Sequence, residues 1–135
     1  MPNTPNLTAG VPHLASYTNN GDGTVTDNVT SLMWQQTAPS TQMTQAAAVT
    51  YCQGLNLAGH TDWRLPAIIE LTSIIDLAVT NPSINTQAFP SAPMGIFWSS
   101  TQFALLPGNA YTVEFGKGSE IYGGTGQSEN VRCVR

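Results

Sequence analysis

The chain has 135 residues and a formal net charge of −4, and charged residues make up only 9% of it, against roughly 25% in an average soluble domain. This length suits one domain that buries a hydrophobic core of its own. The four basic residues do not cluster in the sequence, which excludes the basic surface that a nucleic-acid-binding protein needs. No apolar run approaches the length of a membrane span, so we expect neither nucleic acid nor membrane insertion.

The beginning of the chain predicts an extended arm followed by a β-hairpin. Residues 1–16 carry three prolines and scattered Asn and Thr, which indicates an arm or linker remnant ahead of a domain that spans 17–135. This start lacks the basic region and the apolar core of a signal peptide, so an exported protein would be present here in its mature form. Turn residues at 19–23 separate Tyr17 from strands predicted over 24–27 and 32–35.

The Asn-Gly-Asp-Gly sequence at 20–23 also resembles part of a calcium-binding loop. An EF-hand loop needs a glutamate at its twelfth position. If Thr18 is the first position, the twelfth is Val29. We therefore expect a plain hairpin turn, no metal site and no cofactor, with calcium as the alternative.

Two helices are predicted in the middle of the chain. Thr41 can cap a first helix over 42–57. Pro66 suits the first position of a second helix, because its missing N–H needs no partner there, and this helix ends before Asn81. Glu70 lies in the first turn, where a negative charge meets the positive end of the helix dipole. The apolar residues at helical spacing are Met43, Ala47, Ala48, Tyr51, Cys52 and Leu55 in the first helix and Ile68, Leu71, Ile74, Ile75 and Ala78 in the second.

Loops and one core strand follow the second helix. Residues 81–95 hold three prolines and few strand signals, which predicts a long irregular loop. The apolar and aromatic run at 96–100 predicts a core strand, and residues 102–109 predict a further loop.

The last part of the chain predicts a closing antiparallel sheet. Tyr111, Val113 and Phe115 alternate with polar residues, so they are predicted to form the buried side of a strand. Further strands are predicted over 119–122 and 130–135, and Val131 and Cys133 share one face of the last.

The two cysteines, Cys52 and Cys133, are 81 positions apart. No CxxC motif or Cys/His cluster is present, which argues against a zinc site. Two buried thiols and one long-range disulfide remain as alternatives, and the export-like composition favours the disulfide.

The ordered series of sequence blocks resembles the bacterial domain family that is named for the C-terminal domain of the Legionella collagen-like adhesin. The resemblance covers about 17–135. The matching blocks are 20–28, 32–34, Ala48, Tyr51-Cys52, Leu55, 59–66, Glu70-Leu71, Phe89-Pro90, 98–100 and 131–135.

This resemblance implies an α+β, C-type-lectin-like fold in its formylglycine-generating-enzyme-like branch. In such a fold, two helices pack on a small antiparallel sheet with long loops, and the N- and C-terminal strands are adjacent. The first helix is often tied to the last strand by a disulfide, which here would join Cys52 to Cys133. The family further implies secreted, periplasmic or cell-surface modules at the end of a longer adhesin or lipoprotein.

The family's named adhesin binds sulfated glycans through a basic trimer surface. With four basic residues and a net charge of −4, this chain has no evident site for a polyanion. We therefore expect a non-catalytic recognition module that binds a glycan or a protein on a cell surface. An assembly domain without a soluble ligand, in a homo-oligomer such as a trimer, is the alternative.

The sequence also lacks the constellation of an enzyme. His13 lies in the arm and His60 in a Gly-flanked turn, and neither a Gly-x-Ser-x-Gly elbow nor an HExxH motif is present. His60 and Asp62 could orient a proton transfer, so an unrecognised enzyme is the least favoured alternative. We expect no catalytic residues.

The stretch 62–66 combines Trp63 with Arg64, between the two predicted helices. Arg64 could hold a carboxylate or sulfate of a ligand. In a chain with so few charges, we expect it instead to pair with Asp62 or Glu70, or to stack on a tryptophan, and so fix the turn. The residues with predicted structural roles are Asp62, Trp63, Arg64, Glu70, Trp34 and Trp98.

Binding residues are best sought on irregular segments, because loops on a rigid scaffold usually carry recognition. The loops 81–95 and 102–109 and the exposed sides of the last strands meet this condition. Aromatic and amide side chains there suit a neutral sugar or a protein surface. The candidate ligand-binding residues are Gln102, Asn109, Tyr111, Glu114, Tyr122 and Asn130.

Overall fold

The computed structural model describes residues 15–135. The arm predicted for 1–16, except for its last two residues, lies outside this range, as does His13. The fold is α+β, as predicted. Its elements are β1 (Tyr17–Asn19), β2 (Thr24–Asp27), β3 (Met33–Gln35), α1 (Gln45–Gln53), α2 (Ile68–Thr72), β4 (Ile96–Gln102), β5 (Asn109–Glu114) and β6 (Ser119–Gly124).

The six strands form two antiparallel sheets, in the orders β1-β2-β3 and β4-β5-β6. The strands predicted near 24–27, 32–35, 96–100, 111–115 and 119–122 are thereby confirmed. At the first hairpin, Gly21 and Gly23 have φ values of 76° and 90°, which glycine adopts without strain. The Asp22 carboxylate accepts hydrogen bonds from the backbone N–H and hydroxyl of Thr24, at 3.1 and 2.6 Å, as in an ordinary polar turn.

The C-terminal segment is not the regular strand that was predicted over 130–135. It forms single bridges from Val134 to Trp34 and to Arg64, and from Asn130 to Phe97. Its neighbours on the two sides are therefore β3 and the short segment around residue 64, and neither offers a long ladder. The segment is adjacent to β3 of the first sheet and, at Asn130, to β4 of the second sheet, so it connects the two sheets.

Helix α1 is shorter than the predicted 42–57. Met43 and Glu129 exchange two backbone hydrogen bonds of 2.9 Å, which holds the residues before the helix extended. Thr44, and not Thr41, is the N-cap, and its hydroxyl accepts from the N–H of Ala47. Ala47 is exposed, contrary to prediction, whereas Ala48 and Cys52 are fully buried.

Helix α2 has five residues instead of the predicted run from Pro66 to residue 80. The N–H of Asp76 donates to the Ser83 carbonyl, and the N–H of Asn81 donates to the Gly116 carbonyl, both at 2.9 Å. These non-local hydrogen bonds turn the chain after Thr72. Leu71 and Ile74 remain buried, as their spacing predicted.

Two hydrophobic cores lie on opposite faces of the second sheet. Phe97 and Trp98 are consecutive in β4 and so point to opposite faces; Phe97 packs in the first core with Leu71 of α2, and Trp98 in the second with Cys52 of α1. The first core contains Val25, Trp34, Leu71, Ile74, Ile84, Ala88, Phe89, Phe97, Val113, Phe115 and Val134. The second contains Ala48, Cys52, Trp63, Leu65, Trp98, Ala110, Val131 and Cys133.

Strand β5 is covered on both faces of the sheet, so the predicted alternation of buried and exposed residues does not hold along all of it. Val113 and Phe115 are buried, as expected. Thr112 is also buried, since its side of the strand faces the second core, and Tyr111 is only half-buried. Tyr111 therefore belongs to a partly open part of the sheet.

Candidate functional site

The stretch 62–66 lies in the scaffold, held by contacts within the chain. Trp63 is 2% exposed, and its indole N–H donates to the His60 carbonyl at 3.1 Å. The Arg64 guanidinium makes two hydrogen bonds to the Glu70 carboxylate, at 2.6 and 2.7 Å. Glu70 also accepts from the N–H of Ala67 at 2.9 Å, so one carboxylate caps α2 and binds the arginine.

Asp62 is not a partner of Arg64. It pairs instead with the C-terminal residue Arg135, through contacts of 2.6 and 3.0 Å. The hydrogen bond from Arg135 lowers the pKa of Asp62, and the hydrogen bond from Arg64 lowers the pKa of Glu70. Two separate ion pairs thus fasten this stretch, one to α2 and one to the end of the chain.

The buried arginine of this protein is Arg132, which the sequence did not single out. It is 1% exposed, and its Nη1 donates to the carbonyls of Gln35 and Gln36 at 2.8 and 2.5 Å. Its guanidinium carbon lies 4.7 Å from the centre of the Phe89 ring and 5.6 Å from that of Phe97. Burial lowers its pKa to about 10.

These contacts determine which basic side chains remain free to bind a ligand. Arg64 and Arg135 are held in ion pairs, and Arg132 is enclosed. Lys117, on the turn between β5 and β6, is the one remaining basic residue of the four. The described surface therefore offers no cluster of basic side chains for a sulfated or phosphorylated ligand.

Three rings form a cluster on the outer part of the second sheet, and we call Phe103, Tyr111 and Tyr122 the aromatic patch. Tyr111 and Tyr122 are directly opposite each other on β5 and β6. Phe103 stacks on Tyr122 with 4.2 Å between ring centres and 10° between planes, and it meets Tyr111 edge-on at 5.2 Å. Tyr122 remains 50% exposed, so the cluster presents aromatic surface to solvent.

The loop between β4 and β5 borders the aromatic patch. Leu105 and Leu106 are 87% and 46% exposed. Gln102 is exposed, but its amide donates to Gln45 of α1 at 3.0 Å. It also lies directly opposite Ala110, which is buried in the second core, so its side chain is on the face of the sheet away from the aromatic patch. The amide of Asn109 donates to carbonyls within the loop and so shapes the loop.

Three predicted binding residues, Asn109, Tyr111 and Tyr122, thus lie at the aromatic patch or its border, and the other three do not join them. Asn130 is only 7% exposed, and its amide donates to the Ile96 carbonyl at 3.0 Å, so it is not on the open side of a strand as expected. Glu114 accepts from the N–H groups of Gly116 and Lys117 at 2.6 and 3.1 Å and stabilises the β5–β6 turn. The predicted binding residues do not include Phe103, which lies in the predicted 102–109 loop; its aromatic side chain is the signal that could have indicated it.

The 81–95 loop is irregular, as predicted, and offers two open depressions. They have volumes of about 410 and 450 Å³ and share Asn85 and Gln87 in their linings. The Asn85 side chain accepts from the N–H groups of Gln87 and Ala88, which fixes this turn. The described lining residues include no Asp, Glu, Lys, Arg or His, so the depressions are polar and uncharged.

His60 lies edge-on to Trp63, with 6.5 Å between ring centres. Within 15–135, no three His, Cys, Asp or Glu side chains are grouped so that they could hold a metal ion. Over the same range, no helix has both the length and the apolar character to cross a membrane.

Cys52 and Cys133 form a disulfide with 5.5 Å between their Cα atoms. The bridge joins α1 to the C-terminal segment, in agreement with the pairing that the resemblance implied. Both residues are fully buried in the second core, so the bridge lies in the hydrophobic interior.

Comparison with known proteins gives one family. The model of the Lcl C-terminal domain family matches residues 23–135. No curated protein matches the chain.

Proposed function

Because the chain belongs to the Lcl C-terminal domain family, a domain of collagen-like adhesins, we propose that it is a non-catalytic recognition module of a bacterial surface system. Its ligand is a neutral glycan or a protein on a cell surface. The disulfide supports a location outside the reducing cytosol. The bridge from α1 to the C-terminal segment also supports a C-type-lectin-like fold.

The observation that carries this proposal is the aromatic patch. Phe103 is in ring contact with both Tyr111 and Tyr122, although β6 lies at the edge of its sheet. Aromatic rings that stay accessible supply large contact area at a low cost in side-chain entropy. Because the rings already pack together, little ordering is needed when a ligand binds.

The charges favour a neutral ligand. The chain carries a net charge of −4, and only Lys117 among its basic residues is neither in an ion pair nor enclosed. Sulfated glycans depend on clusters of Arg and Lys. The accessible rings of the aromatic patch, with the two tyrosine hydroxyl groups, suit the apolar faces and hydroxyl groups of neutral sugars, or an uncharged protein surface.

The test is an array of neutral and sulfated glycans together with a panel of extracellular proteins, probed with the wild-type chain. We expect a ligand among the neutral glycans or the proteins, and binding at least tenfold weaker in Phe103→Ala and Tyr122→Ala. Leu77→Ala is the control, since Leu77 is a 71% exposed apolar side chain outside the patch. A ligand bound equally by wild type and both patch variants would contradict the assignment of the site.

A further inference from the structure

The outer edge of β6 has backbone groups without a partner among the described residues. Two hydrogen bonds of 2.9 Å show which residues face which neighbouring strand. The N–H of Thr125, just after β6, donates to the Gly108 carbonyl, so residue 125 faces β5. The Asn109 carbonyl of β5 accepts from the N–H of Phe103, so residue 109 faces away from β6. Peptide groups along a strand alternate in direction. With the β5–β6 register, this means that Ser119, Ile121 and Gly123 face β5, while Glu120 and Tyr122 direct their N–H and C=O groups outward.

This edge has little of the usual protection against pairing with another strand. Natural edge strands are short, or carry charged side chains, Pro or a bulge. Strand β6 has six residues, Ser-Glu-Ile-Tyr-Gly-Gly, and its register with β5 is continuous from one end to the other. Ile121 and Tyr122 are 36% and 50% exposed, and Glu120 is the only charged residue on the strand.

We propose that β6 pairs antiparallel with β6 of a second copy of the chain about a two-fold axis, which joins the two three-stranded sheets into one. Opposite residues in an antiparallel ladder must both point outward or both point inward. A register centred on Ile121 meets this condition, because Glu120 then faces Tyr122 of the partner subunit. All four outward groups of each strand then have partners.

The charge pattern selects this register over its neighbours. A register centred on Glu120 would put two carboxylates directly opposite each other, which is destabilising. A register centred on Tyr122 would place Glu120 opposite Gly124 of the partner subunit, and the Gly124 carbonyl already accepts from the N–H of Gln127 at 3.0 Å. Only the register centred on Ile121 avoids both faults, and it packs two Ile121 side chains together at the axis. Strand β6 is therefore self-complementary.

The dimer also changes the arrangement of the aromatic patches, although the dimer itself does not require that the patch binds a ligand. Tyr122 belongs both to β6 and to the patch, so two patches come to lie side by side on one face of the joined sheet. A two-fold contact of this kind closes on itself, in contrast to the trimer that the family resemblance had suggested.

The test is sedimentation equilibrium of the full chain over a wide concentration range. We expect a monomer–dimer equilibrium that is about tenfold or more weaker in Glu120→Pro, because proline removes an outward N–H from each copy without touching the β5–β6 ladder. Glu120→Ala is the matched control: it removes the same side chain but keeps the N–H, and it should dimerise at least as well as wild type.

Ile121→Lys provides a second variant that does not depend on tolerance of proline. It places two ammonium groups at the two-fold axis and should abolish the dimer, while Ile69→Lys, at a 61% exposed apolar position, should not. Amide exchange at Glu120 and Tyr122 should slow as the dimer forms. A monomer at every concentration, a trimer, or a dimer that survives both Glu120→Pro and Ile121→Lys would overturn the proposal. Phe103→Ala should keep the dimer, which separates this result from failure of the patch.

Discussion

The guanidinium carbon of Arg132 lies 4.7 Å from the centre of the Phe89 ring, in the interior of the domain. No carboxylate among residues 15–135 forms an ion pair with it. The carbonyls of Gln35 and Gln36 accept its hydrogen bonds, and a second ring, Phe97, lies 5.6 Å away. Because burial lowers its pKa only to about 10, Arg132 stays charged at neutral pH. Ring faces and carbonyls replace the water that this charge has lost.

We predict that Arg132→Ala lowers the free energy of unfolding by about 3 to 5 kcal/mol, because it leaves a cavity between two aromatic rings. Arg132→Met should cost clearly less, since it fills most of the volume and also removes the penalty of burying a charge. Urea denaturation followed by circular dichroism measures both values. If the alanine variant were as stable as the methionine variant, packing around Arg132 would not contribute as described.

The sequence could not reveal that Arg132, and not Arg64, is the enclosed arginine. Strand periodicity placed Val131 and Cys133 inward, and it therefore implied an outward Arg132. The C-terminal segment instead passes between β3 and residue 64 with a core on each side: Cys133 lies in one and Val134 in the other. A period of two describes a segment with one buried face, and it fails where both faces are covered.

For the ion pair between Arg64 and Glu70, we predict that replacing Glu70 lowers the free energy of unfolding more than replacing Arg64. The Arg64 side chain is 48% exposed and that of Glu70 is 18% exposed. Arg64→Ala should cost about 1 kcal/mol, as for a well-formed surface ion pair. Glu70→Ala should cost about 2 kcal/mol, because the N–H of Ala67 also loses its cap. Equal costs for the two variants, measured by urea denaturation, would contradict a capping role for Glu70.

The same ion pair predicts that the stability of the protein depends on pH. The hydrogen bond from Arg64 is the main reason that the pKa of Glu70 lies below its usual 4.5. The stabilisation is therefore fully present above this usual pKa, which the unfolded chain retains, and it is lost as the pH falls through the lower pKa of the folded state. Between pH 5 and 3, wild type should lose more stability than Glu70→Gln, so their stabilities converge. A gap between the two proteins that stayed constant over this range would count against the ion pair.

Local patterns predicted most strands but neither the helix ends nor the aromatic patch. The spacing from Ile68 to Ala78 is helical, yet hydrogen bonds from Asp76 to Ser83 and from Asn81 to Gly116 end the helix early. These partners are distant in sequence or lie in loops, so no local signal encodes them. The patch likewise depends on the register that places Tyr111 opposite Tyr122, which only the folded hairpin defines.

The disulfide should be the largest single covalent contribution to stability. It closes a separation of 81 residues, for which the chain-entropy model gives about 4 kcal/mol. We predict a loss of this size in the double variant Cys52→Ala/Cys133→Ala, measured by urea denaturation of wild type and variant. Reduction of unfolded wild type before refolding should reproduce the loss.

Single variants separate the bridge from the packing of its sulfur atoms. Both cysteines are fully buried in the second core, so each substitution also leaves a small void. If the bridge dominates, Cys52→Ala alone already removes it, and the second substitution adds little, which makes the two costs strongly non-additive. Reductant should then lower the urea midpoint of wild type and leave that of the double variant unchanged. Additive costs, or a wild-type midpoint insensitive to reduction, would assign the stabilisation to packing instead.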